Sequence, residues 1–123
     1  MLSKVLFFSW LFAITFISLV DYSSVNEGLG LSKGFGTGFW LHAAGYFIAG
    51  LLFILAFWKK GQAYLLIALT ALFLLGVLFE FAQLHIPKRS FNPADIGANG
   101  LGLISFYVCY KLIQVRRRRR IED

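Results

Sequence analysis

The stretch "FEFAQLHIPKRSFNPADIGANG", Phe79 to Gly100, decides how this chain folds. It places Glu80, Gln83, His85, Lys88, Arg89, Asn92, Asp95 and Asn99 inside about twenty residues of an otherwise apolar sequence. Pro87 and Pro93 punctuate it. Proline lacks a backbone N–H and ends a helix that reaches it, but is tolerated in the first turn of the next. Asn92-Pro93 followed by Asp95 resembles a helix-start signal. The stretch therefore reads as the end of one helix, a polar loop at 85–93 and the start of another. It is either an ordinary hydrophilic connection or a site.

The surroundings are too apolar for water. The 123 residues are 59% hydrophobic and only 15% charged, with a mean hydropathy of +0.72. A soluble domain of this size needs more charge to cover its surface. An apolar run of about 18 residues can cross a bilayer as a helix. Four runs qualify, the first narrowly: Val5–Val20, Phe39–Trp58, Gln62–Leu84, and Ala94 to about Val115 with its apolar part ending at Ile113. The expectation is one all-α membrane domain over residues 1–123, a four-helix transmembrane bundle with a basic tail at 116–123. The first run is read as a retained helix, because "LVDYSSVNEG" after it offers no small-x-small cleavage site.

The connections differ in kind. Asp21–Gly38 is long and glycine-rich without helical periodicity, so it reads as an irregular loop. It is not a phosphate-binding P-loop, since the Gly-Lys-Ser/Thr ending is absent. "KKG" at 59–61 reads as a tight hairpin. Four spans put both termini on one side, with Lys4, Lys59, Lys60, Lys111 and Arg116 to Arg120; only Lys33, Lys88 and Arg89 fall on the other. The positive-inside rule then makes both termini cytoplasmic and turns the two long loops outward. The net charge of +6 is explained by this flanking pattern and does not call for nucleic acid. The single cysteine, Cys109, has no partner for a disulfide and reads as a small packing residue. No cofactor motif and no metal-ligand spacing stand in the sequence, because His-x-x-x-Tyr and His-Ile-Pro lack it.

This topology places the opening stretch. Glu80 and Gln83, three apart, sit near the outer end of the third span. Asp95 and Asn99, four apart, sit in the first turns of the fourth, and His42 and Tyr46, four apart, near the start of the second. Each pair shares a helix face. A carboxylate costs roughly 2.5–3.5 kcal/mol at mid-bilayer and less near the interface, so Glu80 should face the bundle interior or a wet cavity. Taken singly, these residues have ordinary explanations. Asp95 complements a helix amino end, Arg89 and His42 are interfacial, Gln83 and Asn99 are interhelical hydrogen-bonding groups, and Gly97, Gly100 and Gly102 allow close packing. Their coincidence at one depth argues for a site.

The combination Glu80-x-x-Gln83, a short loop with Arg89 and Phe91, then Asp95-x-x-x-Asn99-x-x-Gly102, with His42-x-x-x-Tyr46 upstream, resembles the VanZ-like family of small bacterial membrane proteins. The resemblance covers about residues 39–115. It departs from the family at Gly38 and Phe39, where an Asp-Lys pair commonly stands; Lys33 is an unaligned substitute. The resemblance implies a cell-envelope setting and a link to resistance against the lipoglycopeptide antibiotic teicoplanin, but no reaction.

Three functions compete. A binding protein would use His42, Tyr46, Glu80, Gln83, Arg89, Asp95 and Asn99 to hold a lipid-linked or phosphate-bearing envelope molecule, or an amphiphilic antibiotic; Arg89 and the amino end of the fourth span would hold the anion. A membrane hydrolase or transferase acting on an outer-leaflet substrate would use Glu80 or Asp95 as general base, His42 as acid or base, and Arg89 against developing negative charge. A small multidrug-type transporter is suggested by four helices in this length, but the first span carries no acid and Glu80 lies close to one face. Membrane lipids are partners in every case.

Overall fold

A computed structural model describes residues 1–19, 37–87 and 91–122. Four α-helices account for nearly all of them: α1 (Leu2–Leu19), α2 (Thr37–Phe57), α3 (Gln62–Gln83) and α4 (Pro93–Glu122). No strand occurs among the described residues. Each helix is long and apolar enough to cross a membrane, so the chain is a multi-pass membrane protein of the all-α class. Within a bilayer a helix satisfies its own backbone polar groups, which is why apolar runs of this length adopt it. Most of the long irregular loop expected at 21–38 lies outside the described residues, as do Lys33, Lys88 and Arg89.

The helix ends follow local chemistry. After α2 the chain tightens into a 3-10 turn, Trp58–Lys60, and reverses at Gly61 with φ of 83°. A side chain is disfavoured at such a positive φ, so the glycine of the expected hairpin is needed there. At the far end of α3 the backbone unwinds through Leu84, His85 and Ile86, whose N–H groups donate three residues back to Phe81, Ala82 and Gln83. This is the tightened last turn by which helix ends satisfy spare carbonyls, and Pro87 follows it. α4 begins as its sequence signal indicates: Pro93 is its first residue, and the Asn92 Oδ1 accepts the Ala94 N–H at 3.2 Å.

The other end of α4 corrects an expectation. The fourth helix does not stop near Val115 before a separate tail; it continues through Arg116–Arg120 to Glu122. Thirty residues at 1.5 Å each give about 45 Å, against a hydrocarbon core of about 30 Å. Hydropathy marks where a lipid-embedded span ends, not where a helix ends, and arginine is a good helix former. The five arginines are all exposed.

The helices pack through aromatic and small residues. Phe7 of α1 meets Phe53 and Phe57 of α2 edge-on, with ring centres 5.5 and 5.8 Å apart. Trp10 Nε1 donates to the Gly45 carbonyl at 3.0 Å, tying α1 to α2. The most extensive contact is between α2 and α4. It is made possible at Gly102, where a Cβ would run into the carbonyl oxygen of Ala43. Leu65, Leu69 and Leu72 of α3 and Leu103 and Phe106 of α4 complete the core. The outer faces carry exposed Leu, Ile and Phe, among them Leu51, Leu55, Ile67, Leu74, Leu78 and Ile104.

Basic residues gather at one end of the bundle. Lys4 lies 5.6 Å from the Phe57 ring centre, Lys60 5.9 Å from Tyr64 and Lys111 5.9 Å from Tyr107. Lys111 Nζ also donates to Gln62 Oε1 at 2.9 Å, and Gln62 Nε2 to the Tyr107 hydroxyl at 3.2 Å. The polar residues of the opening stretch lie at the opposite end.

Candidate functional site

All four helices contribute to that opposite end. α2 supplies His42 and Tyr46 in its first turns, α3 supplies Glu80 and Gln83 in its last, α4 supplies Asp95 and Asn99 in its first, and α1 contributes the Ser18 carbonyl. Glu80, Gln83 and Asn99 are buried to within 3% of complete. A buried carboxylate or amide is tolerated only where hydrogen bonds replace water.

Glu80 organises the α3–α4 junction. Its Oε2 accepts the N–H of Asn92 at 3.3 Å, and Gln83 Nε2 approaches its Oε1 at 3.5 Å. Gln83 Nε2 also donates to the Ser18 carbonyl at 3.1 Å, which brings the end of α1 into the cluster. The bond to Asn92 has a structural consequence. In an ordinary capping box, the acidic residue at the third helical position reaches back to the N–H of the capping residue. Here that residue is Asp95, and Glu80 of the preceding helix takes its place. Asp95 faces His42 instead, with Oδ2 3.9 Å from the imidazole Nε2.

His42 is held from the other side. Its Nδ1 lies 3.0 Å from Asn99 Oδ1. An amide oxygen only accepts, so Nδ1 carries the hydrogen and Nε2 is directed at Asp95. The His42 and Asp95 side chains keep 24% and 17% exposure and form the accessible rim of an otherwise buried cluster. His42, Glu80 and Asp95 each offer a ligand atom within 4.8 Å of the other two. Tyr46, 3% exposed, directs its hydroxyl toward Gly76 beside the Asn99 amide; a Cβ at Gly76 would lie 2.5 Å from the hydroxyl and 2.7 Å from Asn99 Nδ2. Gly76 is what leaves room for both.

Of the residues expected at the site, the structure therefore brings His42, Glu80, Asp95 and Asn99 together directly. Gln83 is bound to Glu80, and Tyr46 stands against Asn99. Arg89 lies outside the described residues. Two contributors were missed in the sequence. The Ser18 carbonyl is backbone and carries no residue signal. Gly76 stands among leucines in "FLLGVLF", where a lone glycine one turn from Glu80 was the only sign of a close approach. The convergence of His42, Glu80 and Asp95 was expected, but not that their ligand atoms would lie within 4.8 Å of one another. The three residues come from three helices, and metal-site reading from sequence depends on short local spacings.

Alongside the cluster, a shallow apolar groove of about 450 Å³ runs between α2 and α4, with Trp40, Ala43, Phe47, Leu101 and Ser105 in its walls. The fold and site define a small helical membrane protein with an interhelical polar centre at one end. No protein-family model, curated protein or solved structure matches the chain.

Proposed function

We propose that this chain is a VanZ-like integral membrane protein of the bacterial cell envelope, oriented with both termini cytoplasmic, whose polar centre faces outward. There it binds the polar head of a lipid-linked or phosphate-bearing envelope molecule and contributes to glycopeptide or lipoglycopeptide resistance. The observation that carries this reading is the convergence of His42, Glu80, Asp95 and Asn99, from three helices, at the end of the bundle remote from Lys4, Lys60 and Lys111. Orientation follows from the positive-inside rule, with the basic end inside. The apolar groove beside the cluster suits an acyl or prenyl chain whose head enters the polar centre.

The anion-binding part of the reading is assigned to Arg89. The amino end of α4 is a weaker candidate than an open helix end, because Asn92 already caps it and Asp95 stands in its first turn.

A second reading has a specific observation in its favour. The approach of His42 to Asp95, with Glu80 beside them, suits a hydrolase or transferase acting on an outer-leaflet, lipid-linked substrate. His42 and a carboxylate would move the proton. Turnover of a lipid-phosphate substrate by purified protein would favour this enzyme; binding without turnover would favour the receptor.

The test of a functional site replaces Glu80→Gln, Arg89→Gln and Asp95→Asn together. Breaking one partner of a fully buried charge pair costs about 3–5 kcal/mol, whereas neutralising the whole network costs far less. The triple variant should insert and unfold near the wild-type temperature yet lose its effect on susceptibility to envelope-directed drugs. A stable triple variant that retains the wild-type effect would reduce the cluster to a structural clamp.

A further inference from the structure

We propose that His42, Glu80 and Asp95 hold a divalent transition-metal ion, Zn2+ or Mn2+. Three atoms no more than 4.8 Å apart have a common point within about 2.8 Å of each, so a contraction of under an ångström reaches metal–ligand distances of about 2.0–2.2 Å. One imidazole nitrogen and two carboxylates suit zinc or manganese; an all-oxygen set would suit calcium or magnesium.

The surroundings of His42 support the assignment. A metal-binding histidine almost always donates its other ring N–H to an oxygen, which fixes the tautomer and turns the free nitrogen to the metal. Asn99 Oδ1, 3.0 Å from Nδ1 and 98% buried with its residue, is such an oxygen. The remaining nitrogen then presents its lone pair to the Asp95 carboxylate at 3.9 Å. With Nε2 unprotonated, that nitrogen and the carboxylate oxygen are two electron-rich atoms that a cation between them would join. A proton on Nε2 is the alternative, and the experiment separates the two.

Tyr46 is an independent sign of something held at this spot. It is 97% buried, and its hydroxyl has no hydrogen-bond partner among the described residues. It lies against Gly76 beside the Asn99 amide, within range of the Glu80 charge. A buried hydroxyl left without a partner is costly. Three protein ligands leave coordination positions for water, and water on the ion would give Tyr46 a partner that it lacks among the described residues.

The proposal stands apart from the headgroup reading, because it is tested with the metal alone. Full-length protein in nanodiscs, stripped with a chelator, is dialysed against Zn2+ or Mn2+ and its metal content measured. One ion per chain is expected, with a rise of several degrees in the unfolding temperature; bound Mn2+ should show an altered paramagnetic resonance spectrum. Glu80→Gln, Asp95→Asn and His42→Gln should each weaken binding at least tenfold, whereas His85→Ala should not. Asp95, at the rim, is the substitution least disruptive to folding; the wild-type measurement decides even if Glu80→Gln does not fold. Folded wild-type protein that retains no ion would overturn the proposal. So would binding that survives all three substitutions, or a doubly protonated His42 ring at neutral pH in metal-supplemented protein.

Discussion

Asn92 is bonded in two directions. Its side chain closes the start of α4 by accepting the Ala94 N–H, and its own N–H is closed by Glu80 of the helix before. Removing the side chain removes one of these and leaves the other. Asn92→Ala should therefore lower stability by about 1 kcal/mol, the ordinary cost of losing a helix cap, and thermal unfolding in nanodiscs would read it. A loss several times larger would mean that the side chain also supports the cluster beyond its capping role. At this scale much was legible in advance. Spacings of three and four residues placed Glu80 with Gln83, Asp95 with Asn99 and His42 with Tyr46 on shared faces. The exchange of capping partners was not legible. It depends on Glu80 reaching Asn92 from another helix, and a sequence signal assigns that duty to Asp95.

Among elements, the contact between α2 and α4 fixes the position of His42 relative to Asn99 and Asp95. It depends on Gly102, whose missing side chain admits the Ala43 carbonyl. Backbone cannot swing aside as a flexible side chain can. Gly102→Ala should force the two helices apart at a cost of about 1–3 kcal/mol, in the range of overpacked cores. The separation should also weaken whatever binds at His42, more than Gly97→Ala does, since a Cβ at Gly97 meets nothing within 4 Å. Equal effects of the two substitutions on stability would argue against this account. The helices themselves were readable because lipid solvation demands long apolar runs, and that demand is written in composition. The extension of α4 through the arginines was not, because the same physics is silent once a helix leaves the membrane. Gly97, Gly100 and Gly102 all look like packing glycines in sequence, yet only Gly102 meets backbone on another helix; Gly100 meets the Phe73 ring at 3.3 Å and Gly97 meets nothing.

The whole molecule has a basic end and a polar-centred end, and the two should lie on opposite sides of the membrane. In a Cys109→Ser background, a cysteine introduced at 85–93 should react with an impermeant reagent added outside intact cells. One introduced at 116–120 should react only after lysis. The reverse pattern would invert the orientation and turn the polar centre toward the cytoplasm. Charge counting made this expectation possible, since nine of the twelve lysines and arginines fall beside the two termini and the 59–61 turn in the sequence. The close approach of the His42, Glu80 and Asp95 ligand atoms could not be counted in the same way. Three helices must be placed side by side before it exists.

That requirement bears on how the protein is made. The hydrogen bond from Asn92 to Glu80 joins a helix to the start of its successor. Synthesis runs from the amino end, so Glu80 is made 12 residues ahead of Asn92, and this bond forms only after the loop between them exists. The place of Glu80 in the last turn of α3 shortens the exposure, because a carboxylate near the headgroups costs less than one at mid-bilayer and can remain hydrated there. The arrival of α4 then brings Asn92 and Asp95 in the same turn of helix. Of the four described helices, the last in chain order is thus the one that completes the polar centre.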